Sequence, residues 1–518
     1  MKYYYTLVLY FIFQVSLAQV TFQKRFGHPQ NNVSEYVYDG TLDPWGNLYI
    51  IGANNLETFN VTKVDSFGQT LWMKTLSSIN IEPSRIIFSS DSNLMVLGRG
   101  SLSSIDNYIF LTKTDTSGNI IWSRYLATNG RFNLTKLLFE DNNGNLIIGG
   151  YQSIEFDSVQ FTYREQPFLA KFDSGGTLNW FKQVEGIYTA GFNDGIKLPN
   201  GNYLMTGFVG DTILGDKDIL LLETDSSGIF QRSIAIGNTT LDLGQKVINV
   251  NHNILIAATD NNLSSIAAPH FIELDSSWNI LLNKKNITPG GSTLDIIPYL
   301  NGSYLVSSNG PMLYIIDSTL TLVQGKNYGN SGFNRRLYKS FNIGDGRVFS
   351  CGTNGDVSDI LVLRTDSTLD AGCNSYSTIL FTDTVPQLLT EWLNFYVSDT
   401  VFNSYSFDSI ISHVWSEIEL CNSYTGLIVL NDNLKFKVDL YPNPTTETLN
   451  VFVDGDLNMK KIHLEVFDIY GRSYFTEWRD FIPQSSILLD ISFLPNGNYI
   501  IKLTTNENYS VAKFIISK

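Results

Sequence analysis

The sequence is short of the residues on which metal and thiol chemistry depend. Only three cysteines occur, Cys351, Cys373 and Cys421, and their spacing excludes the paired CxxC patterns of zinc sites. The five histidines, His28, His252, His270, His413 and His463, never stand at a ligand spacing such as HExxH, so each reads as structural or solvated. No GxSxG elbow, P-loop or strand-following GxGxxG is present, which removes the usual marks of acyl transfer, phosphate binding and dinucleotide binding. Charge is scarce too, at 16% of residues, and no run of Lys or Arg exceeds two. With a net charge of −15 the chain lacks the basic face that nucleic acid or an anionic membrane surface requires. No catalytic residue, metal ligand or cofactor is assigned on these grounds, and the chain reads as more suited to binding than to catalysis.

Long apolar runs are also missing. The stretch Tyr3 to Phe13 is shorter than the roughly 20 residues a bilayer core needs. Preceded by Lys2 and followed by Ser16-Leu17-Ala18, it reads as a secretory signal over residues 1–18, and Gln19 after the cut disfavours a lipid anchor. The expected product is soluble, without a transmembrane segment, in a compartment where Cys373 and Cys421 can pair. Closing that loop would add about 4 kcal/mol on the chain-entropy model. Cys351 lies in a β-pattern and reads as a buried thiol.

What the chain does have is aromatic and apolar residues in short strands. Hydrophobic residues make up 43%, with 27 tyrosines and 33 phenylalanines. Between residues 40 and 370 one unit recurs. Gly46-Asn47-Leu48-Tyr49-Ile50-Ile51-Gly52 returns as Ser92 to Gly98, Gly144 to Gly150 and Gly201 to Gly207, with weaker copies from His252, Gly302 and Gly346. Inside each copy lies a second anchor. Lys63, Asp65, Gly68 and Trp72 recur as Lys113, Asp115, Gly118 and Trp122, then as Lys171, Asp173, Gly176 and Trp180. Later copies keep Asp225, Asp275, Asp317 and Asp366 but lose the tryptophan. Asp followed by Gly three residues on is hairpin chemistry, in which Asp caps the turn and Gly takes the left-handed position. The Asp residues therefore read as turn caps before metal ligands, and the tryptophans as packing between repeats before sugar platforms.

Four short strands repeated seven times predict an all-β fold, a seven-bladed β-propeller over residues 19–373. The seventh copy lacks an outer strand, and Val20 to Phe26 is predicted to supply it. The Lys-x-Asp-x-x-Gly-x-x-x-Trp pattern resembles the repeats of pyrroloquinoline-quinone-type bacterial propellers. That resemblance implies the architecture; no acidic cluster suits such a cofactor's calcium, and none is expected here.

Residues 374–437, rich in Ser, Thr and Asp, read as a loosely structured spacer with room for a few strands and the Cys373–Cys421 pair. Asp157-Ser158-Val159, Asp211-Thr212-Ile213, Asp383-Thr384-Val385 and Asp399-Thr400-Val401 resemble a short bacterial O-glycosylation motif. Asp216 and Asp218 read as loop residues, and Ser510 with Lys513 as a chance SxxK match.

From residue 438 the pattern changes to about seven short strands, a small Ig-like sandwich. Tyr441-Pro442-Asn443-Pro444 opens it, Gly471-Arg472 follows a central strand, and Gly497, Tyr499 and Lys513 come late. In this order the motifs resemble the type A C-terminal sorting domain of type IX secretion cargo, with those nine residues at the family's positions. The resemblance implies recognition by the type IX machinery and a secreted or outer-surface location. The cargo then reads as a binding or scaffold protein for an extracellular glycan or protein, the alternative being a glycan-acting hydrolase or lyase on the same scaffold.

Overall fold

The structure, a computed structural model, describes residues 20–372 except 28–34, 55–58, 77–80, 102–106, 128–131, 158–161, 186–188, 211–216, 238–240, 262–267, 288–291, 311, 329–335 and 355–358. It further describes seven short strands between 375 and 424, and residues 437–518 except 455–460, 469–472, 481–485 and 505–508. The chain divides into two compact units, one spanning Thr21–Asn422 and the other containing Ser423–Lys518.

The larger unit is a ring of seven antiparallel sheets. Blade one, for example, runs Glu35–Leu42, Leu48–Asn54, Phe59–Val64 and Thr70–Leu76, from the axis outward. The inner strands of successive blades neighbour one another all the way round, and the last, Arg336–Asn342, returns to the first, Glu35–Leu42. Blade seven takes its fourth strand from the N-terminus. Val20–Gly27 pairs antiparallel with Asp359–Thr365, Phe22 opposite Arg364, as the sequence predicted.

The repeated motif is the cement between blades. In blades one to three the Asp side chain accepts the backbone N–H groups that cap its own turn, as Asp65 does from Phe67 and Gln69 at 2.8 and 2.9 Å. Gly68, Gly118 and Gly176 take φ of +77°, +76° and +82°, which residues with a Cβ resist. Each lysine reaches the turn of the next blade: Lys63 donates to the Thr116 carbonyl, Lys113 to Ser174 and Lys171 to Ser226. Each tryptophan covers the next blade's turn glycine. A Cβ on Gly118 would sit 2.9 Å from the Trp72 ring, on Gly176 3.0 Å from Trp122, and on Gly228 3.0 Å from Trp180. The tryptophans are thus half-buried packing residues.

Where the tryptophan is lost, bulk crosses to the other side. Trp278, Leu320 and Leu369 stand at the left-handed turn position with φ of 69°, 60° and 58°, and all three are buried. Opposite Trp278 the preceding blade offers Arg232, whose guanidinium lies 4.0 Å over the indole and donates to the Ser276 carbonyl. Glu223, standing where earlier copies have lysine, holds Arg232 at 2.7 Å. The seam between blades seven and one reverts to the early form, with Phe22 over Gly68 and Arg364 donating to the Ser66 carbonyl.

The spacer reading is corrected. Seven strands from this stretch lie on the outer edges of the blades, giving each sheet a fifth strand. Ser375–Ser377 pairs with blade six, Phe381–Thr384 with five, Leu389–Trp392 with four and Tyr396–Asp399 with three. Ser404–Tyr405 pairs with two, Ile410–Ser412 with one, and Ser416–Tyr424 with Val20–Gly27 in seven. The chain therefore encircles its own ring in reverse order. An unpaired strand edge leaves backbone N–H and C=O groups bare, and these pairings occupy them.

The smaller unit packs a three-stranded sheet, Lys437–Tyr441, Thr448–Asp454 and Ser486–Asp490, with a four-stranded one, Ser473–Asp480, Lys461–Asp468, Gly497–Thr504 and Tyr509–Ile516. Alternating residues such as Leu449, Val451, Leu464, Val466, Ile501 and Phe514 form the shared core.

Candidate functional site

Chain direction alternates through a blade, so the turns after the first and third strands share one end of the ring. These turns are short, and those after the third strands all begin with the capping Asp. The inner strands begin at the opposite end, and each carries a β-bulge at the same place, as the register shifts at Val37/Asp39, Pro83/Arg85, Thr135/Leu137, Phe192/Asp194, Gly244/Lys246, Thr293/Asp295 and Leu337/Lys339 show. A bulge re-aims the side chains around it. Around the axis the residues after the bulges read Asp39, Arg85, Leu137, Asp194, Lys246, Asp295 and Lys339. Their charge alternates blade by blade and breaks only at Leu137.

Neighbouring blades exchange these charges. Lys246 meets Asp194 at 3.1 Å and Asp295 at 3.9 Å, while Lys339 meets Asp295 at 3.1 Å. Asp194 and Asp39 also accept backbone N–H groups from the following blade, at Val247 and Ile86. Burial works against the charged form of Lys339, but Asp295, Asp39 and Asp194 outweigh it and raise its pKa. These ion pairs therefore tie blades four to seven together.

Toward the strand starts lies a cavity of about 240 Å³ to which all seven inner strands contribute. Five cationic side chains line it, Arg85, Arg99, Lys136, Lys246 and Arg336, against two carboxylates, Asp39 and Glu82. Arg99 is spoken for by Glu82 at 2.5 Å. Tyr38 also faces Glu82, and burial followed by that carboxylate raises the phenol's pKa. Among the described residues Arg85 donates only to the carbonyls of Ser84 and Asn193, at 2.8 and 3.4 Å, and its buried Nε finds no partner. Burial, then Arg85 and Arg99, bring the Lys136 pKa down to about 8.

None of these channel residues stood out in the sequence, though a signal was there. Each member of the charge ring lies four residues before the start of its blade's first turn, as Asp39 does before Asp43 and Arg85 before Ser89. The residues the sequence did single out are dispersed. Among the described residues no group of His, Cys, Asp and Glu is arranged to hold a metal. His270 is buried against Asn283 at 2.7 Å and Asp242 at 3.6 Å; His463 stacks on Trp478. His252 occupies a hairpin turn at φ 71°, and His28 and His413 lie outside the described residues. Cys351 is fully buried, which raises its thiol pKa. Cys373 lies outside the described residues, as do the side chain of Cys421 and Asp216. Asp218 stands in the strand Lys217–Thr224. Ser510 and Lys513 share one strand, three residues apart.

In the smaller unit the early and late motifs meet. The Asn443 amide donates to the Lys513 carbonyl at 3.0 Å and accepts the Ile515 N–H at 2.9 Å, so a side chain stands in for a strand partner. Thr445 continues the clasp, its N–H donating to Ile515 and its carbonyl accepting from Ser517. Asn496 does the same for Lys518. Tyr499 is buried on Phe514 and donates to the Pro495 carbonyl at 2.9 Å, whereas Tyr441 is exposed. Gly497 opens the strand Gly497–Thr504, and a turn closed by Leu494 N–H to the Ile491 carbonyl precedes it. Gly471 and Arg472 lie outside the described residues.

Residues 439–517 match the family model described as a secretion system C-terminal sorting domain. The C-terminal unit is a type IX sorting domain. The protein is accordingly cargo of that system, and its place is outside the cell, secreted or on the outer surface. No curated protein matches the chain. Solved structures similar to it include a protein of unknown function from Bacteroides caccae, at 11% identity and TM-score 0.33, covering 59% of this chain and 93% of that one. A protein of unknown function from Dyadobacter fermentans has 10% identity and TM-score 0.38, covering 67% and 99%. Drosophila Plexin A, in a complex with Semaphorin 1b, has 7% identity and TM-score 0.37, covering 68% and 88%. Among the described residues no helix is long and apolar enough to cross a membrane.

Proposed function

We propose that the propeller is the working part of this exported cargo and acts by binding, with recognition at the cavity end of its channel. Residues 1–18 serve as the inner-membrane export signal in this reading, and the sorting domain hands the chain to the type IX machinery. The observation that carries the binding reading is the state of the channel carboxylates. Glycoside cleavage needs two carboxyl groups at liberty, one to protonate the leaving oxygen and one to act as base or nucleophile. Here Asp39 accepts a backbone N–H, Asp194 and Asp295 hold lysines, and Glu82 holds Arg99. Such groups support a rigid, polar, charge-patterned surface more readily than acid–base chemistry. An extracellular glycan or protein is the expected class of ligand.

Two measurements test the two halves. Removing residues 438–518 should leave the propeller inside the cell envelope; its appearance in the medium at the native level would sink the sorting role. The mature protein from culture fluid, screened on a glycan array and against glycan substrates, should retain ligands without cleaving them. Turnover that depends on Asp194 or Asp295 would reverse the binding reading.

A further inference from the structure

The channel cavity contrasts with the rest of the molecule. In a chain of net charge −15, five cations face two carboxylates across about 240 Å³. Two of the five are neutralised locally, Arg99 by Glu82 and Lys246 by Asp194. The other three are not. Among the described residues Arg85 meets only carbonyl groups, Arg336 meets only the Tyr338 hydroxyl at 3.3 Å, and Lys136 makes no hydrogen bond or ion pair. Three cations without a counter-ion among the described residues, two of them half-buried, repel one another, and desolvation adds to the cost. A chain selected only for stability would place a neutral residue at Lys136. The equivalent positions of other blades carry Tyr38, Ser84, Asn193, Gln245, Leu294 and Tyr338, so neutral residues do fit there.

We propose that this cavity is the seat of an anion, holding a carboxylate, sulfate or phosphate group of an extracellular ligand between Arg85, Lys136 and Arg336. Arg85 lines the cavity with a planar guanidinium whose second terminal N–H groups suit two oxygens of one group. Lys136 supplies a point charge, and Asn193 and Gln245 on the cavity wall supply neutral amides for the polar remainder of the ligand. The volume corresponds to about eight waters at roughly 30 Å³ each, enough for an acidic monosaccharide or one residue of a longer chain. The proposal deepens the binding reading given above and rests on it.

Calorimetry on the full-length mature protein provides the test, with glucuronate, inorganic sulfate and inorganic phosphate as anionic probes and glucose as the neutral control. Anionic probes should bind, glucose should not, and affinity should fall as salt rises. Glucuronate binding well above sulfate and phosphate would assign the source to an acidic sugar; the reverse order would assign it to a free inorganic anion. Lys136→Met and Arg85→Gln should each weaken binding by about tenfold or more, the worth of one charge-assisted hydrogen bond. Lys136→Met should also raise the melting temperature of the ligand-free protein at neutral pH, an effect that a purely structural lysine would reverse. Equal binding of glucose and glucuronate, or variants that bind like the native chain, would overturn the anion seat. If array ligands were still retained by those variants, the binding reading would stand without the anion seat; if nothing were retained but glycans were cleaved, both would fall.

Discussion

The first three blade interfaces and the next three solve one packing problem from opposite sides. Between blades one and four a tryptophan on the outer strand presses on a bare glycine in the next turn. Between blades four and seven the turn itself carries Trp278, Leu320 or Leu369, and the facing strand gives way. The same volume is filled both ways, as close packing demands. The costs differ. The early form spends a glycine, with its conformational entropy, whereas the late form forces a bulky side chain into the left-handed region, at roughly 1–2 kcal/mol. Divergence of a repeat is therefore coupled across the seam: losing a tryptophan on one blade is tolerable where the next blade's turn has gained bulk.

Breaking this complementarity on the early side should have the largest effect. Gly118→Trp places a second knob where Trp72 already sits, in a turn with φ +76°. A loss of about 3–5 kcal/mol is expected from strain and overpacking together, read by urea unfolding. Adding Trp72→Arg should recreate the Arg232–Trp278 arrangement and recover more than half of that loss, and a double-mutant cycle showing simple additivity would refute the coupling. On the late side, Trp278→Gly empties a buried site but relieves its backbone, for a net loss of about 2–4 kcal/mol. Arg232→Trp in that background should restore stability by returning the seam to the early form.

The smallest effect concerns an early-side polar anchor. Asp141 accepts from Asn145 and pairs with Lys171 at 3.0 Å, while the neighbouring blade's Tyr203 donates to it at 3.2 Å. Burial alone would raise its pKa, but Asn145, Lys171 and the turn N–H groups outweigh it and hold the carboxyl well below the usual range. Such a group stabilises the fold above its unfolded pKa of about 4, and the contribution fades as pH falls toward the lowered value. Asp141→Asn should therefore cost about 1–2 kcal/mol at neutral pH, with the gap to the native chain narrowing in acid. A gap independent of pH would assign the loss to shape alone.

Much of this was readable from residues in order. The blade count followed from the Gly-Asn turns and the Asp–Gly hairpins, because a turn's chemistry is local to four or five residues. The missing seventh outer strand pointed to Val20–Gly27, and the ordered blocks from Tyr441 to Lys513 gave the address. The encircling strands stayed hidden because they are two to four residues long for the most part, such as Ser404–Tyr405. A strand of that length has no period to detect and exists only because another sheet offers its edge. The channel site was hidden for a related reason. Which residues face the axis depends on a bulge, and a bulge is a property of pairing between strands, invisible along one of them. What replaces the later tryptophans is equally non-local, because Arg232 and Trp278 meet only across the seam between blades.

The position of the N-terminal strand has a consequence for how the ring comes apart. Val20–Gly27 lies between Asp359–Thr365 on one side and Ser416–Tyr424 on the other, so the join between the chain's beginning and its seventh blade is not at a margin. Fraying cannot start there, because the last hoop segment must lift away before the first strand can peel. Assembly follows the same logic backward: the hoop finds no edges until every blade exists, and it seals the join last of all. A circle closed in that order carries its fastening inside.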